Sequence, residues 1–138
     1  MKPDNWMPQA LGAVRIMTSL LFIEHGTQKL LGFPMPAHGV APLVSLMGFA
    51  GCLEAFGGIL LLIGLKTRIV AFILAGEMAV AYFMAHASRG FFPVLNGGDA
   101  AILFCLIFLL FVFSGAGAWS IDSAFGWDSV RHKREVRA

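Results

Sequence analysis

Four long apolar stretches, separated by short connections, dominate this chain of 138 residues. Each is about 18–23 residues long, and roughly 20 apolar residues in a helix cross a hydrocarbon core of about 30 Å. We place the spans at about residues 9–32, 43–65, 69–87 and 98–117. Only 13% of the residues are charged, against roughly 25% in a soluble domain. The sequence therefore predicts an all-α integral membrane protein and excludes a soluble core-and-shell domain.

The short connections make consecutive spans antiparallel, so the predicted architecture is an up-down four-helix bundle within residues 1–122. Cations fall mainly in the N-terminal segment, the second connection and the C-terminal tail, which four spans place on one side of the membrane. The positive-inside rule then assigns both termini to the cytoplasm. The basic tail, residues 123–138, is expected to lie against anionic lipid and not to bind nucleic acid. The cations concerned are Lys2, Lys66, Arg68, Arg131, Lys133, Arg134 and Arg137.

Polar and ionisable side chains interrupt the apolar spans. An ionisable group at the centre of a spanning helix costs at least about 2.5–3.5 kcal/mol, so these groups are expected to face the bundle interior. There they form a graded polar region that runs from the bundle centre to its outer mouth. The candidate residues for ligand binding or proton exchange are Glu24, His25, Gln28, Lys29, Glu54, Glu77, Tyr82, His86 and Asp99.

Three interpretations of this polar region stay open. In the first, the acids and their partners are hydrogen-bonded links between helices and have no catalytic role. In the second, the region binds a small apolar ligand with a polar head, such as a quinone, because buried carboxylates and histidine suit proton exchange. In the third, it is a solute or ion passage or a metal site. No Glu-x-x-His pair of the di-iron type occurs, and we predict no metal site.

Small residues recur at helical spacing in two spans. Gly51, Ala55 and Gly58 lie in the second span, and Ala71, Ala75 and Ala79 lie in the third. Small side chains let helix backbones approach closely, so both stripes predict packing faces.

Arg15, Asp99 and the two cysteines are the other residues within the spans that have a predicted role. Arg15 either snorkels to the cytoplasmic interface or pairs with an acid on another helix. Asp99, after a glycine pair, is expected to cap the N-terminus of the last span. Cys52 and Cys105 are either packing residues or a thiol pair, without a C-x-x-C motif.

Taken together, the motifs resemble the DoxX family of small four-helix membrane proteins over about residues 11–122. The residues that carry the resemblance are His25-Gly26, Lys29-Leu30 and Gly32, then Glu54, Gly57-Gly58, Gly64-Leu65 and Thr67-Arg68, and finally Gly97-Gly98, Gly115, Gly117 and Ser120-Ile121-Asp122. One departure is Asp99, which stands where the family often has a glutamate; its shorter side chain reaches less far into the bundle.

The resemblance implies a prokaryotic plasma (inner) membrane protein. Some members of the family are associated with quinone-linked sulfur oxidation or with membrane oxidoreductase complexes that handle oxidative and thiol stress. The chain has no haem, flavin or iron–sulfur motif, so an electron carrier would be a bound quinone or a partner protein. Our first hypothesis is therefore a quinone-interacting component of a membrane oxidoreductase system. The alternatives are a non-catalytic scaffold or assembly subunit and a small-solute transporter, and the expected partners are the lipid bilayer, oxidoreductase proteins or a second copy of the chain.

Overall fold

The computed structural model describes residues 6–35 and 39–127. No strand occurs within these ranges, and the predicted all-α fold is confirmed there. The helices are α1 (Met7–Leu31), α2 (Leu46–Ile63), α3 (Thr67–Arg89), α4 (Pro93–Asn96), α5 (Asp99–Ser114) and α6 (Ile121–Ala124). Most of the basic tail and the predicted cations Lys2, Arg131, Lys133, Arg134 and Arg137 lie outside the described residues.

Glycine ends both helices of the first hairpin. Gly32 terminates α1 and Gly64 terminates α2, each in the left-handed region, with φ of 71° and 66°. Glycine adopts this region without the steric cost that a Cβ carries. At Gly64 there is also no space for a side chain, because a Cβ would lie 2.3 Å from Cβ of Ser120. This close approach brings the segment after α5 against the turn between α2 and α3.

The distribution of polar and apolar side chains is the reverse of that in a soluble protein. Arg15 and Ser19 are fully buried and Glu54 is 2% exposed, whereas large apolar side chains such as Phe72 and Phe113 are mostly exposed. Helices α2 and α3 are long and apolar enough to cross a membrane, and α5 is apolar but shorter, at 16 residues. Such a surface is stable in lipid, where exposed apolar groups cost nothing and buried polar groups find protein partners.

Glycines bring α1 and α2 into backbone contact. A Cβ on Gly26 would lie 2.5 Å from the backbone nitrogen of Ala55, and one on Gly58 would lie 2.7 Å from the side chain of Ile23. The second-span stripe therefore packs against α1, as its small residues predict. Because the two backbones nearly touch here, the polar side chains of α1 and α2 are held at short distance from one another.

An aromatic and aliphatic core fills the space between α1, α3 and α5. Phe22 of α1 packs edge-on against Phe108 of α5, with ring centroids 4.8 Å apart. Ala71 and Ala75 of α3 are buried in the same core, and the thiol of Cys105 donates to the carbonyl of Ala75 at 3.4 Å. The alanine stripe thus faces α5.

Candidate functional site

An ion pair links α1 to α2 in the interior. The ammonium of Lys29 donates to Oε1 of Glu54, with the two side chains 24% and 3% exposed. Burial of two charges is expensive unless they are paired, so each residue of this pair depends on the other.

Glu77 of α3 lies beside this pair. Both of its carboxylate oxygens are buried and make no hydrogen bond within the described residues, and the same is true of Oε2 of Glu54. Glu77 interacts electrostatically with Glu54 and Lys29. Buried polar atoms are nearly always satisfied in folded proteins, so three unsatisfied carboxylate oxygens in one place indicate a proton, a water or a ligand.

Two π-helical turns carry candidate residues. Glu54 lies in the π turn Leu53–Gly57 of α2, and Tyr82 and His86 begin and end the π turn Tyr82–His86 of α3. Such turns insert an extra residue into an α-helix and occur frequently at functional sites. The first turn places Glu54 in the interior while Gly57 packs against Leu74 of α3.

A second cluster of polar residues lies at the C-terminal end of α3. The Tyr82 and His86 rings stack with centroids 6.4 Å apart, and Nδ1 of His86 lies 3.1 Å from the carbonyl of Asn96. The Asn96 side chain in turn donates to the carbonyl of Gly90 and accepts from the N–H of Gly98. These bonds fasten the connection between α3 and α5. Asn96 takes part in all three of these contacts, although it is not among the residues predicted from the sequence.

Four predicted residues stand apart from the unsatisfied carboxylates. Glu24 and Asp99 are exposed, and the amide of Gln28 donates to the carbonyl of Met35 at 3.1 Å. His25 is exposed on the outer face and its ring packs edge-on against Phe104, with centroids 5.7 Å apart. The structure therefore brings together Lys29, Glu54 and Glu77.

The expectation that Asp99 caps α5 is wrong. Gly98 occupies the N-cap position and no side chain caps the helix there. Asp99 is the first residue of the helix, where a carboxylate is still favoured by the helix dipole. The Asn96 amide oxygen, which bonds the N–H of Gly98 at 2.8 Å, fixes this start one residue earlier than the sequence indicates.

Arg15 is the centre of a structural anchor at the opposite end of the helices. It is fully buried, so of its two predicted roles the one at the membrane interface is wrong. Its five N–H groups donate to backbone carbonyls: Nε to Ala116, one terminal nitrogen to Leu61 and Leu62, and the other to Ala118 and Trp119. The guanidinium thereby ties α1 to the last turn of α2 and to the segment that follows α5.

Asp122 completes this anchor. Its two carboxylate oxygens accept from the backbone N–H groups of Lys66 and Thr67 at 2.8 and 2.7 Å, at the start of α3. Its own N–H donates to the carbonyl of Gly64 at 2.9 Å. A carboxylate is favoured at a helix N-terminus because it accepts from unpaired N–H groups and faces the positive end of the dipole. In the sequence, Asp122 is distinguished only as part of a family motif.

The cysteines do not form a disulfide, and the described residues contain no cluster of His, Cys, Asp and Glu that would hold a metal ion. Cys52 lines a groove between α2 and α3, whereas Cys105 bonds to α3 from α5. The two thiols thus have different surroundings.

Comparison with known proteins identifies the family. A family model described as DoxX matches residues 10–87, which is more than half of the chain. The chain belongs to the DoxX family. It is 47% identical over 127 residues to an uncharacterized protein of Haemophilus influenzae, a match that covers 88% of this chain and 95% of the relative.

A second relative is an uncharacterized membrane protein of Mycobacterium tuberculosis. It is 28% identical over 134 residues, covering 83% of this chain and 80% of the relative. No solved structure matches the chain at a significant level. The resemblance deduced from the motifs is therefore confirmed.

Several of the motifs that carry the DoxX resemblance lie at two places in this membrane protein. Gly26, Lys29 and Glu54 lie at the ion pair, where Gly26 provides the close approach of α1 to α2. Gly64-Leu65, Thr67-Arg68 and Ser120-Ile121-Asp122 lie in the anchor, where Asp122 bonds to the start of α3. The first set forms the candidate site and the second set holds the helices that carry it.

Proposed function

We propose that this DoxX-family membrane protein is a quinone-interacting component of a membrane oxidoreductase system. The observation that supports it is the Lys29–Glu54 ion pair next to Glu77, whose two buried carboxylate oxygens lack a hydrogen-bond partner within the described residues. Carboxylates are the side chains that gain and lose protons in membrane redox sites, and ionisable groups within a membrane mark such sites or ion pathways.

The residues present fit a quinone headgroup. The unsatisfied oxygens of Glu54 and Glu77 would accept hydrogen bonds from the hydroxyl groups of the reduced quinol, and a protonated carboxyl would donate to a carbonyl of the oxidised quinone. The Lys29 ammonium would donate to a headgroup oxygen that carries partial negative charge. When bound, the quinone supplies two-electron, two-proton chemistry, and a partner redox protein exchanges the electrons. Glu77 and Glu54 would exchange the protons in turn: Glu54 stays ionised while it is paired with Lys29, and it would take up a proton when Lys29 donates to the headgroup oxygen instead.

We further propose the membrane arrangement that this role requires: an antiparallel four-helix bundle in a prokaryotic inner membrane, with both termini in the cytoplasm. The contacts between α1 and α2 support an antiparallel arrangement. Lys29, near the end of α1, contacts Glu54 in the middle of α2, whereas Arg15, near the start of α1, contacts the end of α2. Likewise Arg68, at the start of α3, donates to carbonyls at the end of α5. Reporter fusions after Arg89 and at the C-terminus test this orientation; activity of a periplasmic reporter at the C-terminal fusion would refute it.

The decisive experiment is native mass spectrometry of the protein in nanodiscs of known lipid with added ubiquinone or menaquinone. The wild-type protein is expected to retain about one quinone per chain. Glu77→Gln keeps the size of the side chain and removes its ability to take up and release a proton, and it should lower retention, whereas Glu24→Gln, on an exposed carboxylate of α1, should not. Retention of neither quinone by the wild-type protein would refute the proposal.

A second candidate function, a non-catalytic assembly subunit, is favoured by the position of Glu24. It lies two residues after Phe22 and two residues before Gly26, both buried, so at about 100° per residue it points away from the core. A charged group on the lipid side of a helix is stabilised by a partner helix. Co-purification of a second membrane protein that is lost in Glu24→Leu supports this function; unchanged co-purification opposes it.

A further inference from the structure

An apolar groove runs along the outside of the contact between α2 and α3. Its volume is about 240 Å³. Phe49, Phe56 and Leu60 form the α2 wall, and Val70 and Ile73 belong to the α3 wall. Its remaining lining residues, Cys52, Leu53, Gly57 and Leu74, are also apolar or small. A groove of this composition takes a hydrocarbon chain and offers nothing to a polar headgroup.

The groove leads toward the unsatisfied carboxylates. On α3, Glu77 follows Leu74 by three residues, Ile73 by four and Val70 by seven, so these residues share one face of the helix. On α2, Gly57 lines the groove, packs against Leu74 and follows Glu54 by three residues. A ligand whose headgroup meets Glu54 and Glu77 therefore has an apolar path for its chain immediately beside the site.

The position of the carboxylates along the helices selects the kind of lipid. Glu54 lies near the middle of Leu46–Ile63 and Glu77 near the middle of Thr67–Arg89. A phospholipid keeps its charged headgroup at the membrane surface, because moving the phosphate into the hydrocarbon region is costly. An isoprenoid quinone has an uncharged headgroup, which enters the hydrocarbon region at much lower cost.

We propose that the groove between α2 and α3 binds the isoprenoid chain of the quinone whose headgroup lies at Glu54 and Glu77. This inference rests on the proposed function and adds to it the part of the ligand that determines selectivity. Since lipid chains are as apolar as the groove, binding depends on the fit of the chain and not on the hydrophobic effect. The groove therefore selects long-chain quinones over chainless analogues.

The variant Ile73→Trp tests whether the groove binds the isoprenoid chain, and Ile59→Trp is its matched control. Ile73 is 50% exposed on the groove wall, so a larger side chain fills the groove without entering the core. Ile59 on α2 is 47% exposed and does not line the groove, and Ile59→Trp introduces the same change there. Leu60→Trp, on the α2 wall, is a second groove-filling variant in case Ile73→Trp does not fold.

The readout is retention of two ligands in nanodiscs, measured by native mass spectrometry: a long-chain ubiquinone and the same benzoquinone without its chain. We expect the groove-filling variants to lose long-chain binding by about tenfold through lost contacts, and to bind the chainless analogue as the wild-type protein does. Ile59→Trp should bind both ligands normally.

Alkylation of the two native thiols provides a second readout. Cys52 lines the groove and Cys105 does not, so a long-chain quinone should slow the reaction of Cys52 alone. Normal long-chain binding in folded groove-filling variants would overturn the inference and leave the proposed function standing. Failure of the wild-type protein to bind either ligand would instead refute the proposed function itself.

Discussion

Lys29 of α1 and Glu54 of α2 form an ion pair in the interior of this DoxX-family protein. The close approach of Gly26 to Ala55, one turn before Lys29, sets the separation of the two helices at this point. Close packing and the ion pair therefore occur at the same place along the two helices. Gly26 lets the backbones approach each other, and one turn later Lys29 pairs with Glu54.

Substituting one residue of this ion pair should lower the free energy of unfolding more than substituting both. Lys29→Met leaves the Glu54 carboxylate buried without its cation, which costs about 3 kcal/mol in buried pairs of this kind. Lys29→Met combined with Glu54→Gln removes both charges, so we expect it to recover much of that loss. Thermal unfolding in detergent of the two single variants and the double variant measures the coupling. Strict additivity of the three values would show that the pair is not an energetic unit.

Gly26→Ala should loosen the contact between α1 and α2. The added Cβ would lie 2.5 Å from the Ala55 nitrogen, so a backbone must shift, at a cost of about 1–3 kcal/mol. Gly76→Ala is the matched control, since nothing lies within 4 Å of its Cβ, and in a helix interior alanine is favoured over glycine by about 1 kcal/mol. The two variants should therefore shift the unfolding temperature in opposite directions. Equal shifts would contradict the close contact.

Arg15→Lys should destabilise the protein although it keeps the charge. A lysine has three N–H donors in place of five, so at least two of the buried carbonyls lose their partner, at about 1–3 kcal/mol each. Arg89→Lys, at the exposed end of α3, is the control and should change little. Unfolding temperatures in one detergent give the comparison. Equal stability of Arg15→Lys and the wild-type protein would mean that the carbonyl contacts contribute nothing.

Asp122→Asn should weaken the start of α3. The asparagine oxygen replaces one carboxylate oxygen, but its amide group then faces the other backbone N–H, so one of the bonds to Lys66 and Thr67 is lost. Loss of a side chain that caps a helix costs about 1 kcal/mol. Hydrogen exchange at the Lys66 and Thr67 amides measures this directly and should be faster. Asp99→Asn, on an exposed aspartate, should leave exchange at the start of α3 unchanged.

Hydropathy and side-chain size were sufficient to predict several features from the sequence. The apolar spans predict the helices, because hydrocarbon length and helical rise fix how many residues a span needs. The stripe containing Gly51 and Gly58 predicts a close helix contact, because the absence of a side chain is a property of the residue itself. The order of motifs such as His25-Gly26 and Gly57-Gly58 identifies the DoxX family, which the family model confirms. Each of these features depends on residue types and their order in the sequence, and not on which residues meet in the folded protein.

The choice of partners was decided only by the tertiary structure. The sequence identified Lys29, Glu54 and Glu77 as candidates but not which of nine polar residues would meet, since that depends on the register between helices. It also left the partners of Arg15 open, and they are backbone carbonyls. Because every residue has a backbone carbonyl, residue types do not indicate which carbonyls the guanidinium binds. Only packing, which brings the end of α2 and the segment after α5 around one guanidinium, determines which carbonyls it binds.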